Sequence, residues 1–285
     1  MAVAPFGKKV GIIGLGLMGG SLARELAACR IWVAGYDADP AALREAETAG
    51  VLSAALTPSL QGLEAVELLV VAVPVNHAAT AIAAALPHLD AGCVITDLGS
   101  TKRSVQDAAV RLGIADRFVG SHPLTGGHRS GWGASHRDLY AWSRVYLCPT
   151  TTTRPEALQR VRELWELVGA LPEIIDAAEH DRRVTWTSHL PQVAATALAL
   201  ALDDAGEPRR ELGPGGRDTT RLAASSADMW TAICVDNADL LEGALAAFER
   251  QVQRLRKAID ARDGEMLREL FEEARDWAEE EPVQR

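Results

Sequence analysis

Gly14-Leu15-Gly16-Leu17-Met18-Gly19 is a GxGxxG run that directly follows the dense apolar segment Lys9 to Gly14 and opens a helix-like segment. That context fits a strand–turn–helix unit built to take a phosphate. Gly14 permits the tight turn, Gly16 lets a phosphate approach bare backbone, and Gly19 lets the helix pack close to the strand. The helix N-terminus, at Leu17 and Met18, offers free N–H groups and a partial positive charge to a pyrophosphate. Asp37 closes the next strand-like segment, 18 residues after Gly19. A carboxylate there accepts hydrogen bonds from both adenosine ribose hydroxyls and repels a 2′-phosphate, which favours NAD over NADP. The neighbouring Asp39 does not change that sign. An ordinary glycine turn and an FAD site are the competing explanations.

Ligands of such folds bind outside the carboxyl ends of the strands. The rule selects Val73 and Pro74 after the third apolar segment, Ser100 after the fourth and His122 at the end of the fifth. Arg209, Arg210, Arg217 and Arg221 fall within thirteen residues of an otherwise acidic chain. The cluster suits an anion, although a solvated loop explains Arg209 and Arg210 equally well.

The elements that must hold these residues alternate. Lys9 to Gly14, Ile31 to Asp37, Leu68 to Pro74, Cys93 to Gly99, Arg117 to Pro123, Ser143 to Pro149 and Leu171 to Ala177 read as strands. Helix-like stretches separate most of them, beginning with Ser21 to Cys29 and with a helix opened by Pro40. The expected fold is α/β: an N-terminal Rossmann-type, doubly wound, mainly parallel sheet over residues 1–177. No strand signal follows. Helices are expected at Glu179 to Asp203, Ala227 to Asp260 and Gly264 to Glu280, so residues 178–285 read as an all-helical second domain for substrate binding and dimerisation. Leu241, Leu245, Phe248, Val252 and Leu255 form a stripe that packs either within the chain or in a homodimer.

With 285 residues, the chain is long enough for two domains. Its net charge of -10 argues against a nucleic-acid or membrane-surface partner, which would repel it. The four cysteines form no CxxC pair, no His or Cys pair has specific metal-ligand spacing, and no apolar run is long enough to span a membrane. The expectation is a cytoplasmic protein with reduced thiols, no metal and a small-molecule substrate.

Three further segments complete a pattern: Thr96-Asp97-Leu98-Gly99-Ser100-Thr101-Lys102, Gly120-Ser121-His122-Pro123-Leu124-Thr125-Gly126-Gly127, and Gly215-Gly216-Arg217-Asp218-Thr219-Thr220-Arg221-Leu222-Ala223. With the opening Gly14 to Ala23, and with His180-Asp181 and Ser188-His189-Leu190-Pro191, they resemble the prephenate/arogenate dehydrogenase family of tyrosine biosynthesis. The resemblance runs from about Lys9 to Trp230. It implies NAD-dependent oxidative decarboxylation of a cyclohexadienol, driven by aromatisation. It also implies that His122 is the base that takes the C4 hydroxyl proton; its ordinary pKa of about 6.5 suits that task. Ser100 would orient the hydroxyl, cap a helix, or do both. Arg221 would fork a substrate carboxylate, with Arg217 and His189 as further substrate contacts. Lys102 either neutralises a carboxylate or phosphate or faces solvent. His77, His88, His136 and His180 are read as structural or surface residues.

His128 departs from the family pattern, because many relatives carry an acidic residue at that position. An imidazole there tolerates the keto-acid side chain of prephenate better than the ammonium of arogenate, so prephenate is the expected substrate and arogenate the alternative. The chain also leaves no room for a fused regulatory domain, so any tyrosine inhibition is expected at the active site itself. A β-hydroxyacid dehydrogenase would need a helical-domain lysine in a matching motif, and only Lys257 follows Lys102. A non-catalytic NAD-binding module would not need His122, Ser100 and Arg221 together.

Overall fold

A computed structural model describes residues 9–127 and 129–279. Eight strands form one sheet: β1 (Lys9–Ile13), β2 (Trp32–Tyr36), β3 (Ala54–Ala55), β4 (Leu68–Val71), β5 (Val94–Asp97), β6 (Phe118–Pro123), β7 (Arg144–Pro149) and β8 (Leu171–Ile174). Their order is β3-β2-β1-β4-β5-β6-β7-β8. The chain leaves β1 in one direction and returns at β4 in the other, which opens a crevice at their carboxyl ends. The helices are α1 (Leu17–Ala28), α2 (Pro40–Thr48), α3 (Val75–Ala85), α4 (Arg103–Arg111), α5 (Pro155–Leu167), α6 (Ala177–Val184), α7 (Leu190–Asp204), α8 (Pro214–Thr219), α9 (Ala227–Asp236), α10 (Ala238–Asp260) and α11 (Gly264–Glu279). Among the described residues no helix is long and apolar enough to cross a membrane.

The strands form where β-branched and leucine residues crowd together, because the central strands are buried on both faces. Every residue of β4 and of β5 is buried. Alternate side chains feed two cores, Val10, Ile12, Leu68 and Val70 on one face and Ile13, Leu69, Val71 and Ile95 on the other. Trp165 of α5 is fully buried in the first core, and its indole N–H donates to Ser121 Oγ at 3.0 Å. Burying such a side chain stabilises the fold by about 1.5–3 kcal/mol. At α2, Asp39 Oδ1 accepts from Ala41 N at 2.8 Å and Pro40 sits in the first turn, so the expected start is realised with a cap.

Two expected helices need correction. The sheet is mainly parallel, as expected; its one antiparallel pair is β6 and β7, with His122 opposite Tyr146. Among its described residues the intervening segment contains one short 3₁₀ turn (Trp132–Ala134), too little helix for a parallel crossover, and the chain folds straight back. The expected helix from Glu179 to Asp203 is α6 and α7 joined by a π turn at Thr185–His189. Pro191 lacks the N–H that would bond the carbonyl of Thr187, and the wider turn absorbs that loss. Likewise the expected helix from Ala227 to Asp260 breaks at Asn237, whose side chain is drawn into a buried hydrogen-bond network. The two-residue β3 carries too few residues for its pattern to register in the sequence.

The chain divides into two compact units, one ending at Ala238 and the other beginning at Asp239. The first contains the whole sheet and α1 to α9. In the second, Arg254 of α10 lies 3.6 Å from Glu273 of α11, and Asp263 Oδ1 caps α11 through Met266 N at 3.0 Å. Phe248, Val252, Phe271 and Trp277 of this unit are exposed.

Candidate active site

A cavity of about 920 Å³ opens at the carboxyl ends of the strands within the first unit. Gly16, Leu17 and Met18 border it on one side, and Val73 and Pro74 lie across the crevice. Ser100, His122 and His189 complete its wall.

The glycine loop meets the requirements of a pyrophosphate cradle. Gly14 has φ +95°, and a Cβ there would lie 2.4 Å from the Ala72 carbonyl oxygen. A Cβ on Gly19 would lie 1.9 Å from the carbonyl oxygen of Gly14, so helix and turn are in contact. At Gly16 the protein leaves the space open, with nothing nearer than Gly131 N at 4.0 Å. The two outer glycines are therefore required by the fold, whereas the middle one leaves room for a bound group. Gly16 also starts α1 without a side-chain cap, which leaves the helix end available to an anion. Asp37 stands at the end of β2, off the cavity wall. Its Oδ2 accepts from Leu15 N at 2.6 Å and its Oδ1 from Asp39 N at 2.8 Å. The carboxylate thus also fastens the glycine loop.

Ser100 lies in the loop between β5 and α4. It is not the cap of α4, because Lys102 occupies that position. The work is done instead by Asp181, whose carboxylate accepts from Lys102 N at 2.8 Å and Arg103 N at 3.0 Å. Beneath the loop, Lys102 is wholly buried. Its Nζ donates to Asp97 Oδ2 at 2.5 Å and to the Ser121 carbonyl at 2.9 Å. Of the two possibilities for Lys102, it neutralises a carboxylate. Asp97 Oδ2 also accepts from Gly99 N at 2.8 Å, so this pair fixes the backbone next to Ser100.

β6 ends at the crevice and presents His122. Its Nδ1 lies 2.8 Å from His180 Nε2, and His180 Nδ1 lies 2.7 Å from Asp181 Oδ1. Burial, His180, Lys102 and His189 together push the His122 pKa well below 6.5. The downward shift favours the neutral ring, the form that can accept a proton. His189 is buried and lines the cavity. Its Nδ1 accepts from Asn237 Nδ2 at 3.2 Å, and its ring meets Trp230 edge to face. Asn237 Oδ1 accepts from Arg103, so its amide orientation is fixed and the donor direction follows. Burial pushes the His189 pKa down to about 4. A neutral ring accepting at Nδ1 carries its proton on Nε2, which makes His189 a hydrogen-bond donor.

The arginines expected to hold the substrate are placed differently. Arg217 and Arg221 are both exposed and do not line the cavity. The short turn that follows α8 directs Leu222 onto the wall and leaves Arg221 outward beside it. Arg217 donates to the Arg210 carbonyl at 3.0 Å. The lining arginines are Arg129, Arg144 and Arg183. Arg183 and Arg144 donate to Tyr146 Oη at 3.2 and 3.4 Å. His128 lies outside the described residues. Among those residues no cluster could hold a metal ion.

Sequence reasoning gave no role to His180, Asp181, Tyr146, Arg144 or Arg183. The first two stand within a quoted motif, and His180 is fully buried rather than at the surface. The other three become visible only once β6 and β7 are known to pair antiparallel. That register sets Tyr146 opposite His122, and Tyr146 then gathers the two arginines.

The nucleotide-binding domain of prephenate dehydrogenase matches residues 22–173, and the dimerization domain of the same enzyme matches residues 176–273. A prephenate dehydrogenase of Lactococcus lactis subsp. cremoris is 30% identical over 94% of this chain and 76% of its own length. A cyclohexadienyl dehydrogenase of Zymomonas mobilis is 33% identical over 94% of each chain. The crystal structure of A. aeolicus prephenate dehydrogenase in complex with hydroxyphenyl propionate and NAD+ is similar at a TM-score of 0.87 and 30% identity, covering 95% of this chain and 97% of that one. With both domains matched in order over a strand-end cavity of this composition, the chain belongs to the prephenate dehydrogenase family.

Proposed function

We propose that the chain is an NAD-dependent enzyme that oxidatively decarboxylates prephenate to 4-hydroxyphenylpyruvate. One observation carries the reading: a neutral imidazole, His122, shares the wall of a single cavity with the glycine loop and Ser100. Gly14, Gly16, Leu17, Met18 and Gly19 hold the pyrophosphate, Asp37 holds the adenosine ribose, and Val73 and Pro74 line the path to the nicotinamide. NAD supplies the acceptor for the hydride that leaves C4 of the ring.

The chain's own residues perform the other tasks. Ser100 hydrogen-bonds the C4 hydroxyl and orients it. His122 Nε2 takes the hydroxyl proton as C4 becomes carbonyl-like; loss of the ring carboxylate as CO2 leaves its electron pair in the ring as a phenolate, which takes the proton back from His122 to give the phenol. A proton acceptor so placed contributes about 10²–10⁴-fold. Prephenate is a dianion, and two sets of cations are available for it. Arg221, exposed beside the lining residue Leu222, serves the ring carboxylate by turning inward on binding. Arg144 and Arg183, held through Tyr146, serve the keto-acid side chain. His189 donates to the substrate from the helical side.

Residues 1–177 act as the cofactor domain and residues 178–285 as the substrate and dimerisation domain. A homodimer is supported by the matched dimerization domain and by the exposed Phe248 and Val252, and its location is read as cytoplasmic. Arogenate is the alternative substrate, with His128 as the expected discriminator. The test is NADH formation with prephenate or arogenate and with NAD or NADP. Turnover of prephenate with NAD supports the reading. Faster turnover of arogenate refutes the substrate choice, and no reduction in any combination refutes the function.

A further inference from the structure

We infer that Asp181 and His180 set the tautomer of His122, so that its cavity-facing nitrogen carries a lone pair rather than a proton. The inference rests on the reading of His122 as the base. It begins at Asp181, which is buried in the second turn of α6 and whose carboxylate accepts four hydrogen bonds. Lys102 N and His180 Nδ1 reach Oδ1 at 2.8 and 2.7 Å, and Arg103 N and Nε reach Oδ2 at 3.0 and 3.1 Å. Burial acts to raise the Asp181 pKa. The bonds from His180 and from the two backbone N–H groups outweigh it and hold the pKa below 3.8. The carboxylate also lies at the positive end of α4.

An ionised carboxylate has no proton to give, so His180 must carry its proton on Nδ1. His180 is fully buried and its pKa is lowered, chiefly by burial, so it is neutral and has only that one N–H. Its Nε2 is then an acceptor. The 2.8 Å contact with His122 Nδ1 requires a donor on the other side, and His122 provides it. A neutral His122 protonated on Nδ1 has its lone pair on Nε2, which is what a base needs. Each step follows from counting protons. Reversing the polarity at Asp181 would reverse both rings and turn His122 Nε2 into a donor.

The surroundings favour this arrangement over an imidazolium. Lys102 and Asp97 face the pair from β5 and the loop after it, His189 from the π turn, and Tyr146 from β7, its ring 5.5 Å from that of His180. The two imidazole rings cross at 69° with centroids 5.0 Å apart, an edge-on geometry suited to an N–H···N bond. His180 and Asp181 do not border the cavity, so they act through His122 as positioning residues.

The test uses Asp181→Asn, a near-isosteric change that can present an amide N–H to His180 and so invert the relay. Nitrogen-15 NMR of the histidine rings is expected to report Nδ1–H on His122 in the unaltered protein and Nε2–H in the variant. In the same variant kcat is expected to fall by roughly 10²-fold or more, by analogy with carboxylate-oriented histidines. KM for NAD is expected to change by less than about threefold. A second variant, His180→Phe, removes the relay and is expected to lower kcat to a similar degree. Nε2–H on His122 in the unaltered protein would overturn the inference, as would a folded Asp181→Asn protein that keeps its kcat. If Asp181→Asn does not fold, the spectrum of the unaltered protein decides. A protein that shows the expected tautomer but turns over no cyclohexadienol would refute the functional reading and leave the relay standing.

Discussion

Lys102→Met is expected to destabilise the protein sharply. Lys102 Nζ lies 2.5 Å from Asp97 Oδ2 and 2.9 Å from the Ser121 carbonyl, and both side chains are almost fully buried. At an effective dielectric of about 20, the attraction at this separation is roughly 6–7 kcal/mol. Desolvation of both charges cancels much of it, so the pair adds little net stability while intact. Removing only the ammonium leaves a buried carboxylate whose Oδ1 already has no partner and whose Oδ2 keeps only Gly99 N. Such a loss costs about 3–5 kcal/mol, a large share of a typical domain's 5–15 kcal/mol. Removing both charges in Lys102→Met/Asp97→Asn is expected to recover about 2 kcal/mol of that loss. Urea unfolding followed by tryptophan fluorescence, with buried Trp165 as a reporter, measures all variants. A single variant within about 1 kcal/mol of the unaltered protein, or a double variant whose loss is the sum of the singles, would refute the reasoning. Because the Lys102 charge also lowers the His122 pKa, any active Lys102→Met protein should lose activity at a higher pH on the acid side.

Asp37→Ser should raise KM for NAD about tenfold or more, because charge-assisted bonds are worth about 1.5–3 kcal/mol. It should also move the NADP-to-NAD preference upward, and an unchanged ratio of kcat/KM values would contradict the assignment. Arg221→Ala should raise KM for prephenate by about 10²-fold with kcat less affected, and Arg183→Ala should do the same more weakly. If only Arg183→Ala has an effect, the ring-carboxylate role passes from Arg221 to the wall arginines. The folded pKa values of His122, His180 and His189 all lie below the unfolded value of about 6.5. Their contribution to stability is therefore fully present above about pH 6.5 and is lost as pH falls through the folded values. For His189 that loss extends down to about 4. Each contributes a slope of up to about 1.4 kcal/mol per pH unit, so His189→Asn should flatten the acid limb of a stability–pH curve by up to that amount. An unaltered slope would show that His189 is protonated in the folded state.

The glycine loop was legible because one residue type at three fixed positions answers a local steric demand. Gly14 and Gly19 face backbone atoms that exclude a side chain, and that demand leaves a mark in one short segment. Ser100 and His122 were legible through the strand-end rule, since each closes an apolar run. The Lys102–Asp97 pair was half legible: the two residues stand five apart, yet only the sharp loop after β5 turns both inward. The reversal of β7 was not legible, because a buried strand leaves the same apolar run whichever way it points. His180 and Asp181 were quoted for resemblance alone, and their link to His122 spans 58 residues of sequence. The helix break at Asn237 accompanies tertiary hydrogen bonds, which local propensity does not encode, whereas Pro191 marked the π turn within the sequence itself. Arg221 illustrates the opposite limit, a residue type suited to an anion whose exposed placement outside the cavity lining only the fold could reveal.

The most direct measurement is a crystal structure of the chain with NAD and a 4-hydroxyphenyl product acid bound. The expected arrangement has the phenolic oxygen within about 2.6–3.2 Å of His122 Nε2, the hydroxyl of Ser100 on the same oxygen, and the ring C4 facing the nicotinamide. A product bound with its oxygen directed to any other side chain, or an imidazole at position 122 turned out of the cavity, would contradict it.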